Sequence, residues 1–279
     1  MNSPADLVDI RVREEGGWEL REAGRADAGP PVLLLPGGLC SAAFYDDVLA
    51  YAALDELPVR LVAATPPGFA GRPAPADVSI GSFAKLASEL AARLGCRAVA
   101  GHSVGANIAL EMAASGGFSG PVVLLAPSFS REDEFKELAV LDRIGRVAGI
   151  GPLVWSMVPR ISARVLRSKL PSARRDLLVA ELRRNQGQVC RRMVRRYFDY
   201  LDRGAPLVRR LCDAGVPTLV VFGDHEEVGL TADERQALDA CPHVAVEVVA
   251  GATHFLPTQE PRRTAELILQ GAAEPASVV

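Results

Sequence analysis

Residues 97–114, RAVAGHSVGANIALEMAA, decide the fold. The apolar run 98–100 ends in Gly101-His102-Ser103-Val104-Gly105. Small and apolar residues at helical spacing follow at once: Ala106, Ile108, Ala109, Met112 and Ala113. The order is strand, sharp turn, helix, with a serine at the apex. G-x-S-x-G alone is a weak signal. Between an apolar strand and a helix it is the nucleophile elbow, whose strained turn lifts the serine hydroxyl above the sheet. Gly101 and Gly105, two residues either side of Ser103, carry no side chain where strand and helix nearly touch.

Outward from this unit the same alternation repeats. Residues 7–13 and 18–22 read as two strands joined through Gly16-Gly17. The continuous apolar run 32–35 reads as a buried parallel strand, and 59–64 as another. Between them 42–53 forms a short helix. Ser79 caps a helix whose Ile80, Phe83, Leu86, Leu90 and Leu94 recur every three or four residues. After the elbow come strand 122–126, strand 218–222, helix 232–240, strand 244–249 and helix 261–270, with a frayed tail expected from Gly271. Such alternation predicts an α/β fold: a mostly parallel twisted sheet with helices on both faces. From 128 to 212 no strand pattern appears. This stretch, 129–212, is expected to be a helical cap inserted into a core domain made of 1–128 and 213–279.

Composition narrows the class. The chain has 279 residues, 49% hydrophobic and 23% charged, with a net charge of −3. That is ordinary globular composition with no overall bias towards nucleic acid. The opening MNSPADLVDI has no basic region and no apolar run of signal-peptide length, and no stretch is apolar enough to span a membrane. Five scattered cysteines (Cys40, Cys96, Cys190, Cys212, Cys241) show no CxxC spacing. They argue for a reducing cytoplasm, against a disulfide framework or zinc site, and for each cysteine as buried filler. No metal cluster or dinucleotide fingerprint stands out, so no cofactor is implied. No feature specifies an oligomeric state.

A serine hydroxyl needs a neighbouring base, and the base needs an orienting carboxylate. His254, in GATHFLPTQEP just after the strand 244–249, is the best placed of the four histidines. His102 flanks the serine and should point into the scaffold, His225 lies in an acidic loop, and His243 in a surface turn. The acid should precede the histidine. The loop Gly223-Asp224-His225-Glu226-Glu227 offers three carboxylates, with Glu132 or Asp133 as more distant options.

Together these motifs resemble the capped, single-domain α/β-hydrolase-fold proteins over roughly 32–270. The resemblance implies further roles. The residue after Pro36-Gly37 would supply one oxyanion-hole N–H, which is Gly38, and the residue after the nucleophile the other, Val104. The family acid stands three residues after the glycine, which points to Glu226. It is usually aspartate, and Asp224 is the rival. Relatives that use aspartate as nucleophile cleave epoxides or carbon–halogen bonds. Ser103 instead implies an acyl-enzyme from a carboxylic ester or thioester, and the Pro36-Gly37-Gly38 opening is similar to that of type II thioesterases. The expectation is thus a cytoplasmic serine hydrolase with Ser103, His254 and Glu226 as triad and a small-molecule acyl substrate. The alternatives are a C–C bond hydrolase or lyase using the same triad, or a non-catalytic ligand-binding member of the fold.

Charge is uneven. Residues 160–210 hold 15 Lys and Arg against four acids, many as Arg-Arg pairs such as Arg191-Arg192 and Arg195-Arg196. Such a face suits an anionic or carrier-bound substrate. A solvated lid face paired with an acidic core is the plainer reading.

Overall fold

The computed structural model describes residues 3–24, 29–55, 57–171, 173–202, 206–226 and 229–273. Its strands are β1 (Arg11–Glu15), β2 (Trp18–Gly24), β3 (Val32–Leu35), β4 (Arg60–Thr65), β5 (Ala98–His102), β6 (Val122–Leu125), β7 (Thr218–Gly223) and β8 (Val244–Val249). They form one sheet in the order β1-β2-β4-β3-β5-β6-β7-β8. β2 runs antiparallel to both β1 and β4, and the pairs from β4 to β8 are parallel. The helices are α1 (Asp46–Leu54), α2 (Ile80–Leu94), α3 (Val104–Ala114), α4 (Lys136–Gly145), α5 (Ile150–Leu166), α6 (Arg175–Arg183), α7 (Gly187–Leu201), α8 (Leu207–Ala214), α9 (Ala232–Asp239), α10 (Leu256–Gln259) and α11 (Pro261–Ala272).

The central strands are buried on both sides because side chains alternate between faces. Leu33, Leu35, Val62, Val99, Leu124 and Val220 pack with α2 and α3 on one face. Val32, Leu34, Leu61, Ala100, Leu125 and Val221 pack with α1 and α11 on the other. Ser79 caps α2 as its sequence predicts, accepting from the Ser82 N–H at 3.3 Å, and Gly95 ends the helix in the left-handed conformation.

Three expectations need correction. The first strand begins at Arg11, because Pro4–Leu7 is instead a 3-10 turn capped by Ser3. The chain does not fray at Gly271. There α11 continues to Ala272, and Gly271 lies so close to the sheet that a Cβ would sit 2.5 Å from Val123 Cγ2. The third concerns the cysteines. Cys212 at the end of α8 and Cys241 just beyond α9 form a disulfide, with Cα atoms 5.7 Å apart across 29 residues of sequence. The pairing arises because α8 packs against α9. Spacing along the chain carries no trace of that contact, so it gives no argument for a reducing compartment.

Helices α4 to α7 fill the connection between β6 and β7, while α8 returns to pack against α3. Two buried polar groups tie the connection to the rest. Arg174 reaches the fully buried Asp46 on α1, which Arg21 also grips at 2.7 and 2.8 Å. Asn185, buried between α6 and α7, accepts from the Ala70 N–H at 2.9 Å and donates to Leu39 O at 2.8 Å. Leu39 and Ala70 are non-glycine residues in the left-handed region, with φ of 67° and 49°. One side chain therefore holds the two strained loops that follow β3 and β4. Many of the basic residues are likewise taken up by the fold: Arg210 pairs with Glu111 at 2.7 Å, Arg184 with Glu181 at 2.9 Å, and Arg191 donates to Gly145 O at 2.7 Å.

Two stability predictions follow from these contacts. Asn185→Ala leaves the buried Ala70 N–H and the half-buried Leu39 carbonyl unpaired and should cost about 2–4 kcal/mol in urea unfolding. A cost below about 0.5 kcal/mol would mean the loops hold themselves. Cys212→Ser should cost about 2–4 kcal/mol under non-reducing conditions, and nothing when wild type is measured reduced.

Candidate active site

The site begins with a close approach of backbone. A Cβ on Gly101 would lie 2.1 Å from Gly105 O, and one on Gly105 would lie 2.2 Å from Leu35 O. Only glycine allows β5, α3 and the end of β3 to meet in this way. The chain between them is forced through Ser103 at φ 53°, ψ −122°, a conformation that costs a non-glycine residue on the order of 1–3 kcal/mol. Its N–H is held by Leu125 O at 2.8 Å and its carbonyl by the Asn107 N–H at 3.1 Å. Ser103 thus stands at the carboxyl end of β5 and the N-terminus of α3, partly exposed.

The loop after β3 packs directly on this turn. A Cβ on Gly37 would lie 3.5 Å from Ser103 Cβ, and one on Gly38 would lie 3.1 Å from Val104 Cγ2. The two residues expected to hold an oxyanion are therefore neighbours in space. Among the described residues neither the Gly38 nor the Val104 N–H donates to a protein acceptor.

His254 and Glu226 meet from separate loops. His254 Nδ1 and Glu226 Oε1 are 2.8 Å apart, and both side chains are almost fully buried. The approach again depends on a glycine. A Cβ on Gly223 would lie 2.2 Å from Ala252 O, so the end of β7 can touch the loop after β8. Asp224 points elsewhere: it is exposed and its carboxylate accepts from the Gly251 N–H at 2.6 Å, closing that loop. Glu227, the third carboxylate of the loop, lies outside the described residues. Asp133 is also engaged elsewhere, accepting from the Phe129 and Ser130 N–H groups at 2.8 and 2.7 Å.

His102 links the two halves. Its Nε2 lies 2.7 Å from His254 O and donates to it, while its ring stacks on Phe44 with centroids 5.0 Å apart. Burial, reinforced by the neighbouring His254, pushes His102 down to about 3. The ring is therefore neutral and keeps its proton on Nε2. Its Nδ1 is buried without a partner, against Gly37. The rings of His102 and His254 have centroids 4.9 Å apart, and the Phe135 ring stands perpendicular to that of His254 with centroids 5.0 Å apart. No hydrogen bond joins Ser103 Oγ to His254 among the described residues; such contacts commonly tighten only as substrate binds.

Sequence reasoning did not find Phe135 or Asn185. Phe135 sits at the start of α4 with nothing in its spacing to set it apart, and Asn185 is one polar residue in an arginine-rich stretch. Their roles depend on how the inter-strand helices fold back. Among the described residues no three His, Cys, Asp or Glu side chains are grouped to hold a metal ion.

Solved structures share this architecture. Cfl2 from Burkholderia cenocepacia aligns with a TM-score of 0.70 at 22% identity, over 92% of this chain and 93% of its own. The thioesterase domain from the curacin biosynthetic pathway aligns at 0.65 and 19%, over 94% and 99%. Haloalkane dehalogenase DbeA from Bradyrhizobium elkani aligns at 0.69 and 20%, over 95% and 99%. At these identities the likeness carries the fold and not the reaction. No curated protein matches the chain. The Alpha/beta hydrolase family is matched over residues 32–267, from the first parallel strand through the elbow and the His254 loop into the last helix, and the chain belongs to that family.

Proposed function

We propose that this protein is a serine hydrolase that cleaves a carboxylic ester or thioester through an acyl-enzyme on Ser103. The observation that carries the reading is the buried His254–Glu226 pair, 2.8 Å apart, with the His254 ring 4.9 Å from that of His102, the neighbour of a serine held at φ 53°. Glu226 holds the proton of His254 on Nδ1 and leaves Nε2 as the base. Ser103 Oγ attacks the substrate carbonyl carbon and passes its proton to Nε2. The carbonyl oxygen becomes an oxyanion, received by the Gly38 and Val104 N–H groups. Losing one such donor costs roughly 10²–10³ in rate. As the intermediate collapses, the C–O or C–S bond breaks and His254 returns the proton to the leaving alcohol or thiol. Water then repeats the sequence on the acyl-serine and releases the acid.

The chemistry of serine separates this reading from dehalogenation. Displacement of halide at a saturated carbon by Ser103 would leave an ether, which water does not cleave under these conditions. An acyl ester is cleaved readily by the same machinery that makes it. The likeness to a thioesterase domain supports keeping thioesters beside oxygen esters as candidate substrates. Asn185 acts on this site indirectly, through Leu39 O in the loop that carries Gly38.

Kinetics on a series of acyl esters and matched acyl thioesters test the proposal. Ser103→Ala should lower kcat by roughly 10⁴–10⁶ while the fold is kept. A variant retaining a tenth of the wild-type rate would exclude an acyl-serine. Glu226→Gln should lower kcat by up to about 10⁴, because the amide favours the wrong tautomer of His254. Asp224→Asn should stay within a few-fold, since its carboxylate closes a turn. If Asp224→Asn proves the crippled one, the orienting acid has been misassigned.

A further inference from the structure

Helix α5 is apolar on both sides. Trp155, Val158 and Ala163 face inward and are buried. Ile150, Leu153, Met157, Ile161 and Val165, spaced three or four apart, form a second stripe on the opposite face. Each of them is 52–70% exposed. At 1.5 Å per residue this row extends over about 22 Å. Val147, just before α5, and Val140 on α4 are exposed as well. A soluble surface rarely leaves such a row uncovered.

The charges beside the stripe name the occupant. Residues 136–171 hold seven Lys and Arg and only two acids, Glu137 and Asp142. Asp142 is buried and engaged by Arg146. Arg160 and Arg164 lie on the exposed flank of α5, in line with Leu153 and Met157 two turns earlier. Among the described residues no carboxylate pairs with either. A second copy of this chain would bring two such cationic faces together, each with Glu137 as the one exposed acid of 136–171 against seven Lys and Arg. A convex row of separate side chains also offers no groove to a rigid partner, whereas a lipid surface accepts it without a matching shape. We propose that α5 docks this protein onto an anionic lipid surface, its apolar row entering the headgroup boundary while Arg160 and Arg164 meet the lipid phosphates. This inference stands apart from the hydrolase reading, since it uses no residue of that site.

The test is sedimentation of the full-length protein with vesicles of phosphatidylcholine alone and of phosphatidylcholine mixed with phosphatidylglycerol. Binding is expected to the anionic vesicles, much weaker binding to the neutral ones, and release by salt. Arg160→Gln with Arg164→Gln should lower the partition coefficient by about thirtyfold, each charge near such a surface contributing about fivefold. Met157→Ser with Ile161→Ser should lower it on the order of tenfold. All four positions are exposed, so thermal unfolding and turnover of a short soluble ester should match wild type. Those readouts keep a failure of docking distinct from a failure of the proposed reaction. Absence of binding to anionic vesicles at low salt would overturn the proposal, as would binding that neither pair of substitutions reduces. So would a protein that ignores vesicles but forms a dimer, or captures an acidic carrier protein, through Met157 and Ile161.

Discussion

The structure turns on one backbone contact. Leu35 O, Gly105 and Gly101 lie closer than any side chain permits, so β3, β5 and α3 converge at a single point. Convergence forces the connecting residue, Ser103, into the left-handed half of conformational space at φ 53°. The strain is held by hydrogen bonds from Ser103 to β6 and into α3. A serine in a relaxed turn could lie flat along the surface. Here it has no freedom to do so, and the loop bearing Gly37 and Gly38 packs against a fixed turn rather than a mobile one.

The surrounding loops are fixed in turn by long-range polar contacts. His102 is neutral because it is buried, and so it presents an N–H to the carbonyl of His254. The residue beside the serine thereby sets the depth of the His254 loop. Asn185 does the same for the loops after β3 and β4, from the far side of the inter-strand helices. Arg174, sharing the buried Asp46 with Arg21 of β2, pins those helices to α1. Each contact crosses from one segment of the chain to a distant one. Small errors in helix placement would therefore be felt as errors in loop position, and the geometry of the site depends on how well the inter-strand helices are seated.

Much of this was legible in the residues alone. Parallel strands between helices announce themselves as continuous apolar runs, so β3 falls on its run and β5 begins on its own, continuing two residues further to His102. The elbow was legible because strand, glycine spacing and helix occur together. Glu226 became legible only with the family resemblance, since Gly223-Asp224-His225-Glu226 offers more than one carboxylate and local spacing does not choose among them. The structure sets them apart through geometry that no local pattern records: Asp224 closes a turn on Gly251, and Glu226 turns inward. The Cys212–Cys241 disulfide, Asn185 and Phe135 stayed hidden for the same reason. Their partners are tens of residues away, and the helices that bring them together have no period linking the two ends. The basic stretch was legible as charge but not as structure, because many of its arginines are consumed in pairs within the fold.

The proposed reaction depends on Ser103 being a nucleophile activated by its surroundings rather than a strained structural residue. The most direct measurement is covalent labelling of the native protein with a fluorophosphonate, followed by mass spectrometry of the digested chain. One phosphonyl adduct per chain is expected, on the peptide containing Ser103, formed by the folded protein and not formed when the protein is unfolded before labelling. A folded protein that stays unlabelled, or an adduct on any other residue, would contradict it.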